Sequence, residues 1–241
     1  MNREFFQNGI TLAQSQALFR LSTDAMVLAD FAAPRRGARV CDLCAGSGAV
    51  SLLLLSRDRS LQITALELQA QACALAGQNA AENGLQAQMK IVQGDLREIR
   101  SLLPQKQFTD VCCNPPYYPI DSGFAAKSEA LAAARTEKYC TLEDVCSAAA
   151  WLLAEGGIFW LVHKPERLCD VLCSLRAHRL EPKRLRLVRH AEGSPAALIL
   201  VAATAGGRPG LECLPELILH DAAGAPTEAY RRIYHMEDEL P

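Results

Sequence analysis

The sequence has no apolar run approaching the roughly 18 residues needed to cross a bilayer. Its first residues, MNREFFQNGITLAQSQ, lack the cationic start, apolar stretch and small-residue cleavage site of a secretory leader. The expectation is therefore a cytoplasmic protein with no membrane partner. Aromatic residues are scarce, at 6 %, although half of the chain is hydrophobic. The apolar character comes instead as short aliphatic blocks, the form that supplies strands and covered helices. Charge of one sign is missing too, since the formal net charge is −2, and a protein that is basic all over is excluded. The ten cysteines make no repeated pair of close pairs, which a zinc or disulfide framework would require. The lone CxxC, Cys41 and Cys44, lies where an apolar strand gives way to a glycine loop, with no second pair or histidine pair at zinc spacing. Most of these thiols are expected to be small buried apolar groups in a reducing compartment, and no metal is expected.

What the chain does have is alternation. From 38 to 204, short β-rich runs (38–43, 61–66, 89–93, 108–113, 156–162, 184–190 and 196–203) are separated by helix-like stretches (48–57, 69–83, 95–103, 141–153 and 165–179). That order predicts an α/β fold with a mostly parallel, seven-stranded sheet and helices on both faces. Only AEGSP separates the last two runs, too little for a parallel crossover, so they should close the sheet as an antiparallel hairpin. The length of 241 residues suits one domain. The expected division is an N-terminal helical extension over 1–37, a core sheet over 38–204 and a C-terminal segment over 205–241. Ser22 or Thr23 is placed to cap a helix that stops at Pro34. No role in the fold follows from the sequence for 114–140 or for the Gly- and Pro-rich stretch after 205.

The loop VCDLCAGSGAV joins the first strand of this sheet to the first helix and carries Asp42, Gly46 and Gly48. Glycines allow a tight turn and let a ligand approach the backbone, and the helix beyond offers free N–H groups. The spacing is D-x-x-x-G-x-G. It departs from the dinucleotide fingerprint because Ser51 stands where the third glycine would be. Glu67 ends the next strand, 19 residues after Gly48, and can accept from both hydroxyls of a ribose. Asp95 follows the third strand, where a carboxylate can accept from an adenine amine. A solvated acid is common at one strand end, but two at these ends after this loop point to nucleoside binding.

The most informative segment is CCNPPYYP, which ends the fourth strand. An amine conjugated to an aromatic ring is a poor nucleophile because its lone pair is delocalised. The Asn114 side-chain oxygen and the Pro115 carbonyl can both accept hydrogen bonds from such an amine and favour the geometry in which its lone pair attacks. Pro115 and Pro116 fix the backbone, and Tyr117 offers a face for an extruded base.

This Asn-Pro-Pro-Tyr motif resembles that of the amino-methyltransferases, which methylate adenine N6, cytosine N4, guanine N2 or a glutamine amide. Together with FRLSTDAMVLADF (Phe19 to Phe31) and EAYRRIY (Glu228 to Tyr234), the chain is similar over nearly its whole length to the bacterial tRNA1(Val) adenine-37 N6-methyltransferase family. The resemblance implies a Rossmann-like class I methyltransferase that uses S-adenosylmethionine, releases S-adenosylhomocysteine and acts on tRNA, with a monomer favoured. It implies that Thr23, Asp24, Asp42, Gly46, Gly48, Glu67, Leu68, Asp95, Leu96 and Asn114 hold the cofactor. Asn114, Pro115, Pro116 and Tyr117 would carry the catalysis. Thr23 and Asp24 have helix capping as their other reading, and Cys44 stands where the family more often has a small or β-branched residue.

Candidates for the RNA are Tyr117, Tyr118, Arg135, Arg184, Arg186 and Arg231. Arg135 and Glu137 would order a loop over the substrate or form a solvated helix face. Between Lys164 and His190 there are eight Lys or Arg against three acids, so this stretch carries +5 and the remainder −7. A basic face on an acidic body suits a polyanion. The alternative enzyme is a protein glutamine methyltransferase, which usually carries a larger N-terminal helical domain than the 37 residues that precede the first strand here. A DNA methyltransferase would normally add a recognition domain. A binding module that had lost turnover would be expected to have eroded the glycine loop or the Asn-Pro-Pro-Tyr motif, and both are intact.

Overall fold

The computed structural model describes residues 2–15, 21–117 and 140–234. Its centre is the expected alternation: β3 (Arg39–Leu43), α2 (Ala49–Arg57), β4 (Gln62–Glu67), α3 (Ala70–Glu82), β5 (Met89–Gln93), a 3-10 turn into α4 (Ile99–Leu102) and β6 (Phe108–Cys113). It continues with α5 (Leu142–Leu152), β7 (Leu153–His163), a 3-10 turn into α6 (Leu168–Ala177), β8 (Leu180–Ala191) and β9 (Ala196–Ala205). All seven expected strands are present. β3 to β7 run parallel, and β9 lies antiparallel between β7 and β8. The hairpin between β8 and β9 forms because Gly193 takes a left-handed φ of 74°, and the Ser194 amide donates to the Ala191 carbonyl at 3.1 Å.

Two regions differ from expectation. The sheet has nine strands, because β10 (Glu212–Cys213) and β11 (Leu217–His220) both pair in parallel with the outer edge of β8. They cover a long strand whose backbone would otherwise be open. The N-terminal part is not simply helical: β1 (Asn2–Phe5) and β2 (Thr11–Gln14) form a separate antiparallel hairpin ahead of α1 (Thr23–Phe31). Asn79 of α3 and Asn83, which follows its last turn, mimic a partner strand for β2. Asn79 Oδ1 accepts from the Ala13 amide at 2.8 Å and Asn83 Oδ1 from the Thr11 amide at 2.7 Å. Their amide nitrogens return bonds to the carbonyls of the same two residues. Buried backbone polar groups must be paired, and this pairing lies in side chains far away in the sequence.

Side chains alternate across the sheet. Val40, Cys112, Trp160, Val162 and Leu200 face one core, covered by α1, α2 and the short C-terminal helix α7 (Glu228–Ile233). Cys41, Leu43, Cys113, Phe159 and Val201 face the other, covered by α4, α5 and α6. In α2, Leu52, Leu54 and Leu55 are at most 1 % exposed, each contributing roughly 1.5–3 kcal/mol by burial. Because β3 to β7 are parallel, their carboxyl ends lie along one edge, and the loops leaving them meet there.

Candidate active site

A cavity of about 360 Å³ opens at that edge. The register sets its floor: Leu43 of β3 pairs with Leu66 of β4 on one side and with Cys113 of β6 on the other. The residues that follow, Cys44, Glu67 and Asn114, therefore emerge side by side, and all three line the cavity. Asp24, Asp42, Gly46, Leu68, Asp95, Leu96, Pro115, Pro116 and Tyr117 line it as well.

On the β3–β5 side each acid accepts from at least one backbone amide. Glu67 is 7 % exposed. Its Oε2 accepts from the Gly46 amide at 2.8 Å and its Oε1 from the Gln69 amide at 2.9 Å. Each oxygen keeps lone-pair capacity for a hydroxyl donor. Asp42 is more deeply buried and braces the helix start, because the amide and hydroxyl of Ser51 both donate to its Oδ2, the hydroxyl at 2.6 Å. That is the work of Ser51, the residue that set this loop apart from the dinucleotide fingerprint. Burial pushes the Asp42 carboxyl up to about 7, against the two hydrogen bonds from Ser51. Asp95 caps the turn after β5 and takes a fork of bonds from the Arg97 guanidinium, which holds its carboxyl below the usual range.

The two glycines differ in purpose. Gly46 has a φ of 56° and gives its amide to Glu67. Gly48 is absent from the cavity wall: its φ is 85°, and a Cβ there would come within 2.5 Å of Met89 Cε on β5. It shapes the loop rather than touching what the cavity holds.

On the β6–β7 side, side chains hold one another. The Tyr117 hydroxyl donates a short hydrogen bond to Asn114 Oδ1. The Tyr117 ring meets His163 edge-on at 5.2 Å and lies 5.2 Å from Lys164 Nζ. It is 9 % exposed, so the open stacking platform expected at Tyr117 is instead an enclosed ring. His163 is 1 % exposed, and its Nδ1 accepts from the Lys164 amide at 2.9 Å. Burial, aided by nearby Arg167, lowers its pKa to about 4 and keeps it neutral. Sequence reasoning counted Lys164 only as one of a basic stretch. Its place at the carboxyl end of the fifth parallel strand was the signal that marks it.

Three thiols meet behind the loop. Cys44 hydrogen-bonds with both Cys113 and Cys140; the Cys113 contact and burial raise Cys44 against the Cys140 contact, burial raises Cys113 against its contact with Cys44, and the Cys44 contact and burial raise Cys140. Cys41 points into the same core as Cys113 and Cys140. Among the described residues, no group of three His, Cys, Asp or Glu side chains is arranged to hold a metal ion.

Other expected residues fall elsewhere. The cap of α1 is Ser22, which lines the cavity together with Asp24. Thr23 turns away, its Oγ1 accepting from the Tyr234 hydroxyl at 3.1 Å. Arg184 and Arg186 are not free surface cations. Arg184 lies 5.0 Å over the Trp160 ring and Arg186 Nε is buried, because their even-numbered positions on β8 turn toward the α1 face. Arg231 is exposed and donates to the Pro226 carbonyl at 2.8 Å. Tyr118, Arg135 and Glu137 lie outside the described residues.

The chain has known relatives. It is 26 % identical over 225 residues to a tRNA1(Val) (adenine(37)-N6)-methyltransferase of Actinobacillus pleuropneumoniae serotype 5b, covering 92 % of this chain and 91 % of that one. A protein of the same name from Shewanella sp. (strain W3-18-1) is 28 % identical, with 87 % of each covered. In three dimensions the chain resembles a predicted O-methyltransferase of Agrobacterium tumefaciens, with a TM-score of 0.72, 22 % identity, and 88 % of this chain and 96 % of that one covered. This likeness carries the fold, that of the Rossmann-like class I methyltransferases. The model of the methyltransferase small domain family matches residues 20–176, and the chain belongs to that family.

Proposed function

We propose that this protein transfers a methyl group from S-adenosylmethionine to the N6 amine of an adenine in tRNA, adenine 37 of tRNA1(Val) being the position named for its relatives. The observation that carries the reading is Asn114, followed by Pro115, Pro116 and Tyr117, at the carboxyl end of β6 and in the same cavity as the glycine loop and Glu67. The cavity suits the cofactor: buried Glu67 and half-buried Asp95 answer hydroxyl and amine donors, Leu68 and Leu96 offer apolar surface to a ring, and Gly46 leaves the backbone open. When bound, S-adenosylmethionine supplies a methyl on a positively charged sulfur.

The chain's own contribution is orientation. Asn114 Oδ1 and the Pro115 carbonyl accept from the adenine amine, so that its lone pair turns toward the methyl. In this reading the Tyr117 hydroxyl gives up Asn114 Oδ1 to the amine and the Tyr117 ring takes the base. With the cofactor bound, the nitrogen would gain the methyl as the sulfur–methyl bond breaks with its electron pair left on sulfur, and would then lose a proton to water; no covalent bond to the protein is required. Among the described residues no helix is long and apolar enough to cross a membrane. The reading includes a cytoplasmic protein, one domain and a working monomer.

The test uses radiolabelled S-adenosylmethionine and total tRNA from a strain lacking the gene, with digestion to nucleosides. Label in N6-methyladenosine supports the reading. Label that appears only in a protein extract would replace it with glutamine methylation.

A further inference from the structure

The cavity is electrostatically lopsided. Asp24, Asp42, Glu67 and Asp95 line it, and Lys164 is the only cation among its described lining residues. No carboxylate among the described residues pairs with Lys164. Its backbone is fixed, because its amide donates to buried His163 and Pro165 follows to open a 3-10 turn. Its side chain is not fixed in that way: Nζ rests 5.2 Å from the centre of the Tyr117 ring.

Strand order gives this lysine a side. The sheet runs β7-β6-β3-β4-β5, so Asn114 leaves β6 with the glycine loop and Glu67 on one flank and Lys164 on the other. Lys164 follows β7, the strand next to β6 at a spacing of roughly 4.8 Å, and lies two residues beyond Val162, the position level with Asn114, whereas Glu67 stands about two strand spacings the opposite way. A charge argument follows. Methylating a neutral amine moves positive charge from the sulfur onto the amine nitrogen, toward the Lys164 side, and an uncompensated ammonium close by opposes this. Lys164 therefore needs an anion once the substrate is in place, and a nucleotide brings one with it.

We infer that Lys164 is a substrate-binding residue whose ammonium moves off the Tyr117 ring to pair with a phosphate flanking the target adenosine, clearing that ring for the base as it goes. The inference rests on the reading that the substrate is RNA. It assigns phosphate recognition to a half-buried residue inside the cavity rather than to the arginines of β8.

The test combines a protein change with a change in the RNA. The substrate is the anticodon stem–loop of a valine tRNA, either natural or with neutral methylphosphonates on both sides of the target adenosine. With natural RNA, Lys164→Ala is expected to lose about 10- to 100-fold in kcat/KM, Lys164→Arg to recover most of it, and the salt slope of binding to fall by about one. The wild type should lose a similar factor with the methylphosphonate RNA, while Lys164→Ala loses nothing further, because both changes remove the same contact. The affinity for S-adenosylmethionine, measured by calorimetry, should stay unchanged. Independent, multiplying losses would overturn the proposal, as would weaker cofactor binding with an unchanged KM for RNA, which would place the ammonium on the cofactor's carboxylate. If the wild type labels no RNA at all, the RNA reading itself fails and takes the proposal with it. Labelling by the wild type with equal labelling by Lys164→Ala overturns the proposal alone.

Discussion

The two halves of the cavity are built on different principles. Over β3, β4 and β5 every acid takes at least one backbone amide: two on Glu67, that of Ser51 beside its hydroxyl on Asp42, and that of Arg97 beside its guanidinium on Asp95. Over β6 and β7 they are anchored by one another, with Tyr117 bonded to Asn114 and flanked by His163 and Lys164. Backbone anchoring is settled when the fold forms and presents the same groups to every ligand. Side-chain anchoring satisfies polar atoms in the free protein and has to be exchanged when a substrate arrives. The first half suits a cofactor common to a whole fold class, and the second suits an acceptor that differs between its members.

Substitutions in the two halves should therefore separate binding of the methyl donor from turnover. The largest effect is expected at Asn114→Ala, where kcat should fall about 10²- to 10³-fold, while calorimetry finds the donor bound nearly as before. Loss of donor binding in that variant would merge the two halves. Glu67→Gln should do the converse, weakening the donor's Kd about 10- to 100-fold while kcat at saturating donor changes little. Tyr117→Ala should lower kcat/KM for RNA about tenfold or more through lost stacking, and Tyr117→Phe should restore it. A deficit in the phenylalanine variant equal to that of the alanine variant would mean that the hydroxyl, not the ring face, serves the substrate.

The smallest effect is a pair of opposite pH signatures. Burial raises the Asp42 carboxyl from 3.8 to about 7, so the folded state holds a proton that the unfolded state has released. Its contribution to stability therefore declines as pH rises through that interval. Burial lowers His163 from 6.5 to about 4, so its contribution is intact above 6.5 and declines as pH falls toward 4. Thermal denaturation across this range should show Asp42→Asn gaining on the wild type as pH rises and His163→Gln gaining as pH falls. Parallel trends in the two variants would contradict the assigned environments.

The cavity's donor-side half was legible in the sequence for a physical reason. Strand-to-helix loops, a glycine pair and acids at strand ends are local features, and parallel register then brings them together without further instruction. The alternation of apolar blocks made all seven core strands legible in the same way. The β1–β2 hairpin was not, because its partner is a pair of asparagine side chains in and just after α3, more than 60 residues away. The edge strands β10 and β11 escaped because two to four residues carry no usable periodicity. Arg184 and Arg186 misled because charge counting ignores the face: their side chains turn toward Trp160 and the α1 layer. Lys164, which the same count treated as one of many, is the basic residue among the described ones that lines the cavity.

The most direct test of the account is a crystal structure with S-adenosylhomocysteine and the anticodon stem–loop bound. The account predicts an adenine on the Tyr117 ring, its amine donating to Asn114 Oδ1 in place of the Tyr117 hydroxyl, with Glu67 and the glycine loop where they now stand. An intact Tyr117–Asn114 bond with the adenine held elsewhere would contradict it.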